Sequence, residues 1–227
     1  MGRNIGVMSS MAVREALLEL APRFERETGH RVTTQWVGGA DIGKRLRAGD
    51  ACDLVIMAAS GIDALANEGL VAQGSRVDLV RSRIGVAVAS GAPWPDISSA
   101  EAVRRAVANA KRVAYSSGPS GVYLAEVFQR WGIEAAKLHQ TAPGMAAGEV
   151  VARGEADLAF QQVSELLPVK GIDIAGPLPA DLQRVTVFSA GTSVGAVERE
   201  AAAALTRFLT SGEVVPVLAR HGLEPAA

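Results

Sequence analysis

The sequence has 227 residues, of which 48% are hydrophobic and 21% charged, and its formal net charge is −1. This is the composition of a folded globular chain rather than a disordered one, and the length allows two modest domains. The balanced charge and an aromatic content of 4% give no general basis for binding nucleic acid or an anionic membrane. A small ligand at a local site is the better expectation.

No run of about 20 apolar residues is present, so we expect no membrane-spanning helix. The apolar stretch at residues 5–8 predicts a strand rather than a secretory signal peptide. We therefore expect a periplasmic protein if a signal peptide has been removed, and a cytoplasmic protein otherwise. Cys52 is the only cysteine, which excludes an intramolecular disulfide, and its apolar neighbours predict a buried structural thiol.

Strand-like and helix-like segments alternate along the chain, which is typical of α/β layers. Predicted strands at residues 4–8, 31–37 and 53–57 each end in a turn of small residues. The helix after the first strand is predicted to end at Gly29. Its apolar positions recur at helical spacing and are Val13, Leu17, Leu20 and Phe24. A short amphipathic helix with Ile42 and Leu46 follows the second strand.

Residues 79–89 form one long strand-like run, and the segment 91–95 then interrupts it with two prolines. Such a break is typical of a boundary between lobes. A capping box at residues 98–101 predicts a helix that buries Val103 and Val107. The remaining predicted elements are strands at 113–115, 157–160 and 185–189 and helices at 122–131, 145–153, 201–209 and 213–220, the last ended by Gly222.

Ligands of open α/β sheets bind at the carboxyl ends of strands, where the next helix presents free N–H groups. Three turns in this sequence have that character: Ser9-Ser10, Gly38-Gly39-Ala40 and residues 117–121. Small residues allow backbone amides to approach a ligand, and serine hydroxyls can donate to anion oxygens. Serine is also a common helix cap and glycine a common turn residue. Their threefold occurrence favours an anion site.

Other chemistries have weaker support. Residues 38–44 match the phosphate-binding pattern G-x-x-x-x-G-K, but Arg45 stands where a magnesium-binding Ser or Thr should follow. No histidine accompanies a nucleophile in a known catalytic pattern, and no zinc-binding pattern occurs, so we expect no metal and no cofactor. Arg81 and Arg83 suit a carboxylate ligand, although both could be ordinary surface charges.

Several stretches together resemble the periplasmic molybdate-binding protein family and its relatives among type II solute-binding proteins. In chain order they are Glu19-Leu20-Ala21-Pro22-Arg23-Phe24 with Thr28-Gly29, Arg47-Ala48-Gly49-Asp50-Ala51-Cys52-Asp53-Leu54-Val55-Ile56, Pro119-Ser120-Gly121-Val122-Tyr123, Val151-Ala152-Arg153-Gly154-Glu155-Ala156-Asp157-Leu158-Ala159-Phe160 and Phe208-Leu209-Thr210-Ser211. The resemblance covers nearly the whole chain.

The resemblance implies a two-lobed α/β fold in which each lobe is a mixed, mostly parallel sheet flanked by helices. Lobe I would contain residues 1–82 and 187–227, and lobe II residues 83–186. It also implies that the chain captures a small anion in the cleft between the lobes for an ABC transporter. The expected partners are the anion and the membrane subunits of the transporter, and the expected oligomeric state is a monomer.

The family's site residues fall on or near the turns described above. The candidate ligand-binding residues are Ser9, Ser10, Met11, Gly39, Ala40, Arg83, Ser117, Ser120, Gly121, Gly144, Gln161 and Gln162. Gly39 replaces a serine of the family, and Gln162 lies near the position of its site tyrosine. The loss of these two hydroxyls should weaken a site for a tetrahedral oxyanion such as molybdate, and it leaves an organic carboxylate as an alternative ligand.

Aconitate isomerase is similar to these binding proteins, which gives an enzymatic alternative. Such an enzyme would shift a proton between the carbons of a bound polycarboxylate. The candidate bases are Ser10, Asp41 and Glu149, and the sequence favours none of them, because a perturbed pKa depends on tertiary surroundings.

Overall fold

A computed structural model describes residues 2–226, with the side chain of Ala40 outside the described part. The chain forms two compact units, one of Met1–Arg81 with Thr186–Ala227 and one of Ser82–Val185. The proline-rich segment at residues 91–95 does not separate them, since it lies inside the second unit. Each unit has one mixed sheet with helices packed on it. The predicted α/β class is confirmed.

The strands in chain order are β1 (Asn4–Ser9), β2 (Arg31–Trp36), β3 (Leu54–Ala58), β4 (Val77–Ser82), β5 (Ile84–Ala89), β6 (Val113–Tyr115), β7 (Leu138–Gln140), β8 (Leu158–Gln162), β9 (Ile172–Pro177), β10 (Thr186–Thr192) and β11 (Leu223–Pro225). One sheet has the order β11-β4-β10-β3-β1-β2, and the other has the order β7-β6-β8-β5-β9.

The α-helices are α1 (Arg14–Thr28), α2 (Gly39–Arg47), α3 (Ala59–Asn67), α4 (Ala100–Asn109), α5 (Pro119–Arg130), α6 (Ala147–Ala152), α7 (Val163–Leu166), α8 (Arg199–Leu209) and α9 (Val215–Arg220). Short 3-10 turns cover Met11–Val13, Ala135–Lys137 and Gly212–Val214. Within residues 2–226 no individual helix has the length and apolarity to cross a membrane, although the bent pair Arg199–Leu209 and Gly212–Arg220 passes that test in combination.

The helical periodicity places the core correctly in the first unit. Leu17, Leu20 and Phe24 of α1 are buried against the sheet, and Gly29 ends the helix with a φ of 72°. In the second unit the cap residue of α4 is Ser99, one position after the Ser98 that the predicted capping box requires. The Ser99 hydroxyl accepts a hydrogen bond from the Ala102 N–H at 3.2 Å, and the predicted Val103 of this helix is buried. Local sequence therefore locates the end of α1, and it locates the start of α4 to within one residue.

The long apolar run at residues 79–89 is two strands rather than one. β4 and β5 belong to different sheets, and Arg83 lies between them. β5 is almost wholly buried, whereas β4 has exposed positions and carries Asp78 and Arg81. The polar residues 81–83 mark the break, but only one residue separates the two strands, so the pattern resembles one continuous run. β7 and β9 were not predicted, because β7 is only three residues long and β9 is no more than partly buried along its length.

Parallel pairing determines which turns lie at the same edge of each sheet. β1 pairs in parallel with β2 and β3, so that Ser9 is opposite Trp36 on one side and Ile56 on the other. In the second unit, β6 pairs in parallel with β7 and β8, and β5 runs antiparallel to β8. In each unit the turns after the parallel strands therefore lie at one edge of the sheet. In the second unit the start of β5 lies at that same edge.

Asp53 connects three parts of the first unit through its buried carboxylate. One oxygen accepts from the Gly6 N–H of β1 at 2.8 Å. The other accepts from the N–H groups of Val197 and Glu198, at 2.8 and 2.9 Å, where the chain enters α8. Asp53 is only 7% exposed. An ionised acceptor at a helix start is stabilising because it satisfies free N–H groups and interacts favourably with the helix dipole.

Replacing Asp53 by alanine should lower the free energy of unfolding by about 2–4 kcal/mol, because it leaves three backbone donors without their acceptor. Urea denaturation of the two proteins measures the difference. Asp50→Ala is the control, since Asp50 is exposed, and its effect should stay within about 0.5 kcal/mol. Equal effects of the two substitutions would show that the Asp53 contacts contribute nothing to stability.

Candidate functional site

The edge of the first sheet has a serine pair where β1 ends. The Ser10 N–H donates to the Ile56 carbonyl at 2.9 Å, and the Ser9 hydroxyl donates to the Ser10 carbonyl at 3.1 Å. Ser10 is only 6% exposed, and its hydroxyl has no hydrogen-bond partner. An unpaired buried hydroxyl costs roughly 1–3 kcal/mol. Ser10 therefore offers a donor that a ligand oxygen can satisfy.

The residues next to this pair belong to two helix starts. Met11 follows in the 3-10 turn that leads into α1 and is half-buried. α2 begins at Gly39, with Gly38 as its cap residue, and the Val37 N–H donates to the Ser9 carbonyl at 2.9 Å. This bond holds the start of α2 beside the end of β1. Gly39 contributes backbone only, and Ala40 lies in α2 with its side chain outside the described residues.

A second serine pair lies at the edge of the other sheet. The hydroxyls of Ser116 and Ser120 are 3.0 Å apart and hydrogen-bonded, and the two residues are 4% and 1% exposed. Ser120 lies in the first turn of α5, and Ser117 is half-buried just before the helix. A Cβ at Gly121 would lie 1.5 Å from the Ser116 carbonyl oxygen. Only glycine therefore allows the helix to start this close to β6.

Two glutamines end β8 at the same edge as the Ser116–Ser120 pair. Gln161 and Gln162 are 2% and 0% exposed, and their side chains point to opposite faces of the sheet because they are adjacent in a strand. Gln161 accepts a hydrogen bond from the Ala147 N–H at 2.6 Å. This bond connects β8 to the segment at residues 141–146, which leads from β7 to α6. Gly144 in that segment has a φ of 83°, a conformation that favours glycine.

Arg83 places a positive charge at this edge. It immediately precedes β5, and its carbonyl accepts from the Val163 N–H at 2.9 Å. Because Ile84 pairs with Gln162, Arg83 lies beside the end of β8, and it is exposed. Arg81 belongs to β4 in the other sheet. The second unit thus brings seven predicted residues to one edge, namely Arg83, Ser117, Ser120, Gly121, Gly144, Gln161 and Gln162.

Two residues at this edge were missed by the sequence analysis. Ser116 could have been recognised, since it is the first residue after β6 and lies four positions before Ser120. Glu165 in α7 gave no sequence signal. It is partly buried and hydrogen-bonded to the Gln161 side chain, and burial raises its pKa to about 7 although the hydrogen bond acts in the opposite direction. Glu165 therefore exchanges its proton near neutral pH.

The other acidic candidates lie in ordinary surroundings. Asp41 forms an ion pair with Lys44 at 2.9 Å, which places both charges of the P-loop-like segment on the solvated face of α2. Glu149 is exposed and lies 3.9 Å from Arg153.

Burial raises the pKa of the Cys52 thiol to about 11, so this thiol is protonated and unreactive at neutral pH. The described residues include no group of three or more His, Cys, Asp or Glu arranged to hold a metal ion.

Known proteins resemble the chain over nearly its full length. Residues 5–224 match the family described as bacterial extracellular solute-binding protein. The chain is 38% identical over 230 residues to a Pseudomonas sp. protein named aconitate isomerase, a match that covers 98% of this chain and 88% of that protein.

Solved structures have the same fold at low sequence identity. The periplasmic molybdate-binding protein of Azotobacter vinelandii superposes with a TM-score of 0.81 at 18% identity, covering 98% of this chain and 100% of that one. The sulfate-binding protein SubI of Mycobacterium tuberculosis H37Rv gives 0.80 at 17% identity, covering 99% and 87%. These likenesses confirm the predicted resemblance and its fold.

Proposed function

Because the chain belongs to the bacterial extracellular solute-binding proteins, we propose that it captures a small anion with the turns at the carboxyl edges of its two sheets. In this proposal the protein works in the periplasm as a monomer and delivers the anion to the membrane subunits of an ABC transporter. The observation that carries the proposal is the buried serine hydroxyls at both edges, and above all the unpaired hydroxyl of Ser10.

Neutral donors can hold an anion without a full countercharge. A hydrogen bond from a hydroxyl or backbone N–H to a charged oxygen contributes roughly 1.5–3 kcal/mol. The starts of α2 and α5 add the positive end of a helix dipole, and both helices follow directly on edge turns. A micromolar complex needs about 8 kcal/mol, which several such hydrogen bonds can provide.

The composition of the two edges favours a carboxylate over a small tetrahedral oxyanion. Gly39 supplies no hydroxyl, whereas Gln161 and Gln162 supply buried amides and Arg83 an exposed guanidinium. A guanidinium binds a planar carboxylate through two parallel hydrogen bonds. We therefore place organic carboxylates first among the anions.

Ser10→Ala separates binding from folding. Since the Ser10 hydroxyl has no partner within the protein, its removal should leave the free energy of unfolding unchanged or slightly higher. The same substitution should weaken anion binding about tenfold, because one charge-assisted hydrogen bond is lost. Isothermal titration with molybdate, sulfate, citrate and the two aconitate isomers measures the affinity, and thermal unfolding without ligand measures stability.

Ser120→Ala should also weaken binding, but at some cost in stability, because Ser120 is hydrogen-bonded to Ser116. Ser98→Ala is the matched control, since Ser98 is an exposed serine whose hydroxyl bonds to Asp96 before α4. It should leave affinity unchanged. If the double variant Ser10→Ala with Ser120→Ala bound every anion as tightly as the unmodified protein, the proposed site would be wrong.

An isomerase is the second candidate function. It is favoured by the 38% identity to the protein named aconitate isomerase and by Glu165, whose pKa of about 7 suits a proton-transferring group. In this function the protein would remove a proton from one carbon of a bound tricarboxylate and return a proton to another. The double bond would move accordingly, with no cofactor required.

Proton NMR in D₂O distinguishes the two functions. Incubation of cis-aconitate with an isomerase should yield the trans isomer with solvent deuterium bound to carbon. A binding protein should leave the spectrum as it is in a solution without protein. Conversion to the trans isomer would put the enzymatic function first, and deuterium incorporation would show that the transferred proton exchanges with solvent. No conversion at a ligand concentration that saturates the protein would exclude the enzymatic function.

A further inference from the structure

The side chain of Gln161 connects two groups at the edge of the second unit. Its carbonyl oxygen accepts from the Ala147 N–H at 2.6 Å, and it also forms a hydrogen bond with the carboxyl group of Glu165. Because the oxygen of the amide is used toward Ala147, its NH₂ group is the donor toward Glu165. Gln161 is 2% exposed, so its amide is sheltered from water.

This arrangement places an ionisable carboxyl close to the candidate anion site. Two hydrogen bonds and the width of one amide separate Ala147 from Glu165, which limits the distance to about 8 Å. The segment ending at Ala147 contains Gly144, and Gln161 is itself a candidate ligand-binding residue. An anion bound here would therefore interact with the charge of Glu165.

We propose that Glu165 determines the affinity of the anion site by coupling binding to the uptake of one proton. The inference rests on the proposed function and extends it with a specific residue. When Glu165 is neutral, Gln161 still holds Ala147 in place and no negative charge opposes the ligand. When Glu165 is ionised, its charge repels a bound anion. The anion therefore binds best to the protonated form.

The neighbouring elements contain few charges that could compete with this effect. α7 packs against β5 and β8, neither of which has a titratable residue, and Glu165 is the only one in α7. On α6 there is the exposed Glu149, near Arg153. Arg83 precedes β5, and Lys170 follows α7 as an exposed side chain. None of these charged groups contributes to the shifted pKa of Glu165, which has burial and the Gln161 hydrogen bond as its causes.

The direction and size of the effect follow from electrostatics. For an anion that lies as far from Glu165 as Ala147 does, about 8 Å, and an effective dielectric constant of about 20, repulsion between two unit charges changes a binding constant by roughly tenfold or more. Since the pKa of Glu165 is about 7 without ligand, affinity should be high at pH 6 and fall as the pH rises toward 8. A bound anion should in turn raise the pKa of Glu165, because the linkage is reciprocal.

Glu165→Gln tests the coupling, because glutamine keeps the size of the side chain and is neutral at every pH. Isothermal titration with molybdate and with trans-aconitate, at pH 6 and pH 8 and in buffers of different ionisation enthalpy, gives both affinity and proton uptake. The unmodified protein should bind about tenfold more weakly at pH 8 and take up a fraction of a proton at pH 7 that E165Q does not. Subtracting the affinity change and proton uptake of E165Q from those of the unmodified protein removes any contribution from titration of the ligand itself.

Two controls complete the experiment. Glu126→Gln changes an exposed glutamate of α5 and should retain the pH dependence of the unmodified protein. Gln161→Leu breaks the connection while leaving Glu165, so it should weaken binding at both pH values. If E165Q and the unmodified protein had the same pH dependence of affinity and the same proton uptake, the inference would be overturned. The proposed anion binding would then remain supported. If neither anion bound to any of the proteins, both the inference and the proposed function would be wrong.

Discussion

Parallel strand pairing is the constraint on which the candidate site depends. Parallel neighbours end at the same edge, and the chain must then leave the sheet through a turn and a helix. In the first unit this places Ser9 and Ser10 beside the start of α2. In the second it places Ser116, Ser120 and the end of β8 at one edge. Residues far apart in sequence become neighbours because backbone hydrogen bonds determine the register.

The donors at these edges are mostly neutral and buried, which suits reversible capture. A buried ion pair with the ligand would have a large desolvation cost, whereas hydroxyl and N–H groups lose less hydration when a ligand replaces water. The unpaired Ser10 hydroxyl is a local cost to the ligand-free fold. The well-packed cores of both units offset that cost.

The sequence predicts those parts of the molecule that depend on local pattern. Amphipathic spacing located α1 and α4, and small residues after strands indicated that Ser10 and Ser120 lie where a strand passes into a helix. Residues 79–89 were predicted as one strand because only Arg83 separates β4 from β5, so two strands of different sheets follow each other without a turn signal such as Gly or Pro. Glu165 was missed because its raised pKa results from tertiary burial. Which ligand binds depends on the distances between the donor groups, and no sequence pattern gives those distances.

Thermal unfolding of the unmodified protein against a panel of anions tests the central claim most directly. The panel contains molybdate, tungstate, sulfate, phosphate, citrate and both aconitate isomers, with a neutral sugar as the reference. A ligand at 100 times its dissociation constant stabilises the folded state by about 2.7 kcal/mol, which raises the Tm by several degrees. We predict such a rise with at least one anion and none with the sugar. An unchanged Tm across the whole panel, at millimolar concentrations, would contradict the account.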